Sequence, residues 1–242
     1  MKSGQKNAKA TTRVITQNGN NFINSDMEQK MTINGVSTCT IAGAEKYEKY
    51  QFSEKTIVNS TISSVQLIDL GLPSGTLWAD RNLGADAPEE CGDYYRFGEI
   101  VAFTEDSPEY VCNEVEGDIA GTDRDAATTI LGKKFRMPTF KKIKELIELC
   151  SRQWTQINGV NGIVVTGPNG NSIFFPASGY RNYSSGSLYN VGSYGYYWSS
   201  SPYGTSYGHM LGFGSGGWCW SYYGRAYGYP VRAVIEEFDF KH

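Results

Sequence analysis

The sequence predicts an α+β domain over residues 65–242, preceded by a polar tail and a small β-rich module over residues 1–64. Three observations carry this. From Thr139 to Cys150 apolar side chains recur at helical spacing. From Ile163 to Phe175 two β-branched and aromatic runs flank Gly167-Pro168-Asn169-Gly170, a strong hairpin signal. Beyond Gly179 the strand-like runs Tyr196–Ser200 and Val231–Ile235 interrupt a long Tyr/Ser/Gly-rich stretch.

Residues 1 to about 18 read as a polar tail. Met31-Thr32-Ile33 and Cys39-Thr40-Ile41 alternate like short strands, with Asn34-Gly35 as a tight turn and Glu45–Gln51 as a turn of helix. Val65–Leu70 and Thr76–Ala79 read as strands around the turn Leu72–Gly75, and Asp93–Glu99 as a third. Asp123–Leu131 reads as a helix, its first residues acidic and its stop at Gly132. Thr139 caps the second helix; Phe140, Ile143, Leu146, Ile147 and Cys150 face inward, and Lys141, Lys142, Lys144, Glu145 and Glu148 outward. Trp154 anchors its exit, and Pro176 ends the hairpin that follows.

Composition excludes several classes. The formal charge is −3, from 22 basic and 25 acidic residues, with no basic face, so nucleic acid has little to attract it. No apolar run is long enough for membrane insertion, and no signal-peptide pattern follows the early lysines. Five cysteines without C-x-x-C spacing argue against a zinc site, and two histidines are too few for a His-based triad or metal centre. No cofactor and no metal are expected.

The stretch Gly179–Val234 is the candidate functional one. It contains no Lys, Asp, Glu or Gln, yet it holds three of the five tryptophans and most of the tyrosines. Tyr and Trp supply rigid contact area, and Ser and Gly supply adaptable backbone and small hydrogen-bonding groups, the mixture on which antibody paratopes converge. Gly212–Gly217 matches G-x-G-x-x-G, but no helix is expected after it, so a nucleotide site is not. A calcium-bridged sugar site has no carboxylate in the stretch to use.

Several ordered motifs carry a resemblance: Asp69-Leu70-Gly71-Leu72-Pro73-Ser74-Gly75-Thr76-Leu77-Trp78-Ala79, then Gly92-Asp93-Tyr94-Tyr95 with Phe97-Gly98-Glu99, Arg136-Met137-Pro138-Thr139, Gly167 to Tyr180, Gly195 to Ser200, and Val231-Arg232-Ala233-Val234. Residues 65 to about 235 resemble a large paralogous-domain family of Bacteroidetes-type bacteria. It has a C-type lectin fold related to formylglycine-generating enzymes. Within that fold the Tyr/Ser/Gly stretch resembles the variable region, here about residues 180–232, of proteins diversified by a retroelement.

The resemblance implies a non-enzymatic, hypervariable recognition protein on a phage particle or bacterial surface. Its partner would be a protein or glycan on another cell, met by one ligand-binding face. The N-terminal module is a candidate for homo-oligomerisation. Adenine-directed mutagenesis of Asn codons reaches Tyr, Ser, Gly, Cys and His, but not Lys, Glu, Gln, Trp or Met.

The implied variable, ligand-contacting positions are Tyr183, Tyr189, Tyr194, Tyr203, Ser206, Tyr207, His209, Gly212, Gly214, Gly217, Cys219, Ser221, Tyr222, Tyr223 and Tyr227. Phe213 is a further candidate. Trp198, Trp218, Trp220, Met210, Arg225 and Arg232 would form the fixed scaffold. Two alternatives stand beside this reading: a fixed-sequence adhesin or carbohydrate-binding module, and a formylglycine-generating-type oxidase using Cys219. The oxidase would need a second cysteine nearby in the sequence, and none is present.

Overall fold

The computed structural model describes residues 65–111 and 115–236, together with four two-residue strands nearer the N-terminus. The chain divides into two compact units, Met1–Ile62 and Ser63–His242. In the first, β1 (Thr12–Arg13) pairs antiparallel with β2 (Asn24–Ser25), and β3 (Val36–Ser37) with β4 (Tyr50–Gln51). The strands and turn expected around Met31–Ile41 lie outside the described residues, apart from Val36–Ser37. So does the expected helical turn, except at Tyr50–Gln51, which is strand.

The second unit is built mostly from antiparallel strands. β5 (Leu67–Asp69), β6 (Thr76–Ala79) and β17 (Val234–Glu236) form one sheet with β6 in the middle, and Trp78 fully buried on it. β7 (Tyr94–Tyr95) pairs with β16 (Tyr229–Pro230). β8 (Ser151–Ile157), β9 (Val160–Thr166) and β10 (Ser172–Pro176) form a meander. β11 (Tyr180–Arg181) and β12 (Leu188–Tyr189) form a short ribbon. A second meander follows: β13 (Tyr194–Tyr203), β14 (Tyr207–Gly214) and β15 (Gly217–Gly224).

Among the described residues there are only two helices, α1 (Ala126–Leu131, six residues) and α2 (Phe140–Leu149, ten residues). The expectation of an α+β, C-type lectin fold is therefore corrected: the unit is a set of small sheets with two short helices, and it does not display that arrangement. The physical reasons are local. Asp125 caps α1 by accepting from Thr128 N, so Asp123 and Arg124 stay in the preceding turn, and Gly132 ends the helix at φ 101°. After α2 the chain turns directly into β8. Asn158-Gly159, both at positive φ, then closes a two-residue hairpin into β9.

α2 follows its expected cap, with Thr139 Oγ1 accepting from Lys142 N. Its outward face is narrower than the sequence suggests. Lys142 is buried and paired with Glu236 of β17. Glu145 accepts hydrogen bonds from the Ser74 backbone and hydroxyl. Both carry tertiary contacts in place of solvent.

The core has two parts, and the sheet β13–β14–β15 contributes to both. One side of it sends Tyr197, Leu211 and Phe213 against Ile143 and Leu146 of α2, together with Phe175 and Trp78. The other sends Trp198 and Met210 against Tyr229, Val231 and Phe97. This follows from strand alternation: successive side chains point to opposite faces, so a strand rich in large apolar residues at consecutive positions must be covered twice.

Candidate ligand-binding surface

The register of the meander sorts its side chains. Across β14 and β15, Phe213 opposes Trp218, Leu211 opposes Trp220 and His209 opposes Tyr222, on the face that α2 covers, the helix face. On the opposite side, the tyrosine face, Gly212 opposes Cys219, Met210 opposes Ser221 and Gly208 opposes Tyr223.

On the helix face, beyond the reach of the core, sits a compact aromatic group. His209 stacks on Phe140 at 3.8 Å, and Trp220 meets the same ring edge-on at 5.1 Å. Tyr203 stacks on Tyr222 at 4.0 Å, and Tyr207 meets Tyr222 edge-on at 5.6 Å. Burial pushes the His209 pKa down, while a hydrogen bond with the Ser221 backbone pulls it up, and the net lowering leaves the imidazole neutral at pH 7. Its Nδ1 is buried without a partner.

The tyrosine face carries a wider network. Tyr180 touches Tyr189, Tyr196, Tyr227 and Tyr229 at ring separations from 5.6 to 6.4 Å. Tyr183 and Tyr223 each pack edge-on against Tyr227, and Tyr194 stacks on Tyr196. Tyr229 is buried at the base, against Trp198 at 4.3 Å. Burial first, and neighbouring tyrosines second, push the pKa values of Tyr180, Tyr227 and Tyr229 up, and burial dominates at Tyr196 as well. The base of this face is therefore a set of neutral phenols, aromatic and rich in hydroxyl groups.

The expected contact positions divide accordingly. Tyr183, Tyr189, Tyr194 and Tyr223 on the tyrosine face and Tyr203, Tyr207 and Tyr222 on the helix face are 42–55 % exposed. Cys219 is exposed, Ser221 and Tyr227 are half-buried, and Ser206 is exposed in the turn before β14. His209 is half-buried in the helix-face group. Phe213 is core. The expected positions thus do not form one face: among the described rings, no ring contact joins Tyr203, Tyr207 or Tyr222 to the tyrosine network.

Gly212 and Gly214 are buried, which corrects their reading as contact positions. They seat rings. A Cβ at Gly214 would lie 3.0 Å from the Tyr194 ring, and one at Gly212 would lie 4.0 Å from Tyr196 and 3.4 Å from Met210. Gly195 is the extreme case, with its Cβ position 2.1 Å from the Phe213 ring across the ladder. Gly217 is half-buried at the start of β15.

The expected scaffold residues also divide. Trp198 is fully buried and donates Nε1 to the Tyr95 carbonyl at 2.8 Å. Arg225 is buried, donates to the carbonyls of Tyr207 and Gly204, and lies over Phe97. Arg232 donates to Asn82 Oδ1 and to the carbonyls of Ala79 and Phe174. Burial lowers its pKa to about 10, and the nearby Tyr197 opposes this, so it stays charged at neutral pH. Met210 is buried and Trp218 is half-buried against the core. Trp220 is 46 % exposed and meets the Phe140 ring edge-on.

Sequence reasoning missed Phe140, read only as helix core, and Tyr180 and Tyr229, which tie the tyrosine network together. The signal for the last two was their position beside the Gly179 and Pro230 strand boundaries. Among the described residues no group of three His, Cys, Asp or Glu side chains could hold a metal, and no helix is long and apolar enough to cross a membrane. An open groove of about 410 Å³ lined by Thr104, Glu105, Asp106, Arg181 and Leu188 borders β11 and β12.

Residues 141–234 match the model of a family described as a domain of unknown function, DUF8237. The matched span runs from α2 to the start of β17 and contains the whole of β13–β14–β15. No curated protein and no solved structure matches the chain.

Proposed function

We propose that this chain is a non-enzymatic recognition protein whose tyrosine face binds a macromolecular ligand, a protein or glycan on another cell, and whose Tyr/Ser/Gly stretch is diversified by a retroelement. The observation that carries the reading is the tyrosine face itself. Exposed Tyr183, Tyr189, Tyr194 and Tyr223 stand on a base of buried and half-buried rings. Rings held by packing lose little conformational freedom on binding, and each offers both apolar area and a hydroxyl. Between Arg181 and Arg225 the sequence holds no Lys, Arg, Asp or Glu, and His209 is neutral at pH 7. Such a span suits exchange of one side chain for another without altering the charge of the frame.

Labelled full-length protein should bind intact bacterial cells bearing the ligand. Alanine at Tyr183, Tyr189, Tyr194 and Tyr223 together should abolish that binding while the fold persists in circular dichroism. Collapse of the fold instead would make these side chains structural and defeat the reading. The diversification is tested in the genome. An adenine-rich near-copy of the codons for residues 180–232 beside a reverse-transcriptase gene is expected; its absence would leave a fixed-sequence adhesin.

A further inference from the structure

The open edge of β15 supports a second kind of contact. The two meanders have four outer strands, and three of them are blunted. On β13 the Tyr194 carbonyl accepts from Gly179 N, the Ser200 carbonyl from Ile119 N, and Ser200 N donates to Pro138 O, while Pro202 and a break in register end its regular pairing. β10 ends in Pro176 and gives its Phe174 carbonyl to Arg232. β8 carries Arg152, Gln153 and Gln156.

β15 has none of these devices. Its eight residues hold no charge and no proline, and they pair with β14 in unbroken register. Apart from the His209 contact at Ser221, the backbone of residues 218–223 has no partner other than β14 among the described residues. Cys219, Trp220, Tyr222 and Tyr223 are all exposed. An uncharged, unblunted edge in unbroken register is a template for another strand.

From this we infer that the occupant is a second copy of the chain, joined β15 to β15 in antiparallel fashion. Nothing on the strand opposes self-pairing, since no like charges can meet. A two-fold axis normal to the sheet keeps like faces together, so a residue can oppose only residues an even number of positions away. In the register centred on Trp220, Trp218 opposes the partner's Tyr222 and Trp220 opposes its own copy, all on the helix face. On the other face Cys219 opposes the partner's Ser221, small against small. The three-stranded sheet then doubles, and both tyrosine faces point the same way, which presents two binding fields to one surface. The association does not depend on the proposed binding function.

Sedimentation velocity of the full-length chain over a wide concentration range tests this. A monomer–dimer equilibrium is expected, and Trp220→Lys, which sets two lysines opposite each other, should raise its dissociation constant at least about tenfold. Ser221→Lys should act in the same direction and serves if Trp220→Lys disturbs the fold. The two Cys219 residues would lie on a diagonal roughly 7–8 Å apart. A bis-maleimide of that span should couple the dimer and fail to couple Cys219→Ser. A chain that stays monomeric at every concentration overturns the inference and leaves the edge to an extended segment of another protein. A dimer indifferent to both lysines and uncoupled at Cys219 overturns it too, and places assembly elsewhere, as in the N-terminal module.

Discussion

The helix face and the tyrosine face of one sheet use the same residue types and end in different surfaces. On the helix face α2 covers the strands, and Phe140 at its start gathers His209, stacked on it, and Trp220, edge-on to it. On the tyrosine face no helix intervenes, and the rings pack on one another from buried Tyr229 outward to exposed Tyr183 and Tyr223. The difference shows that exposure of a tyrosine here is set by what covers its face, and not by its local sequence. Beneath both faces lies one frame, in which Trp198, Arg225 and Arg232 are all fully buried.

Removing the frame that both faces share should have the largest effect. Arg232→Ala should cost about 3–5 kcal/mol, because it strands Asn82 Oδ1 and the Ala79 and Phe174 carbonyls in the core. Chemical denaturation would read this, and a loss below about 1 kcal/mol would show that the core refills with water or rearranges.

Next in size are the glycine seats. Gly195→Ala forces a methyl into the Phe213 ring and should cost about 1–3 kcal/mol. Gly212→Ala meets only ordinary contacts and should cost less than about 1 kcal/mol. Equal losses at the two positions would refute the seating argument.

Stability should also fall at both ends of the pH scale, and Tyr197 on the helix face, pushed up to about 12 by burial, joins the phenols at the alkaline end. The pKa values of Tyr229, Tyr94 and Tyr95 are raised mainly by burial. Their contribution to stability is fully present below about pH 10, the unfolded phenol value, and is lost as pH rises beyond it. His209 has the opposite sign: its pKa is lowered by burial, so its contribution is present above about pH 6.5 and is lost as pH falls below it. Melting temperature against pH should show both arms, and His209→Phe should remove the loss that begins near pH 6.5 while leaving the loss at lower pH, where Glu236 gives up its lowered pKa beside Lys142.

The smallest stability effects belong to exposed rings. Tyr194→Ala and Tyr207→Ala should each cost less than about 1 kcal/mol, since neither fills the core. Their value lies in binding. Alanine at Tyr203, Tyr207 and Tyr222 should leave cell binding intact, where the tyrosine-face set abolishes it. The reverse result would move the recognition surface to the helix face.

Much of the fold was readable along the chain. Thr139 at the head of an amphipathic run and Asn169-Gly170 between two β-branched runs each encode their element locally, and each formed where expected. β8 was readable too, from Asn158-Gly159 between Ile157 and Val160, although the stronger helix pattern before it masks the signal. Lys142 and Glu145 were not readable, because their partners Glu236 and Ser74 lie far away in sequence. Nor was the overall arrangement: motif order suggested an α+β lectin fold, whereas the pairing produced several small sheets with two short helices.

Composition alone specifies the alphabet of the surface, and it marks Trp198, Arg225 and Arg232 as fixed frame residues; their burial is a result of the fold. Which tyrosines share a face, that Gly195 and Gly214 seat rings, and that Trp220 is exposed were settled by the packing of the folded chain. Those outcomes depend on register and on which element covers which side of a strand. A one-residue change in register would exchange every side chain between the two faces, and no local pattern in a Tyr/Gly/Ser stretch specifies it.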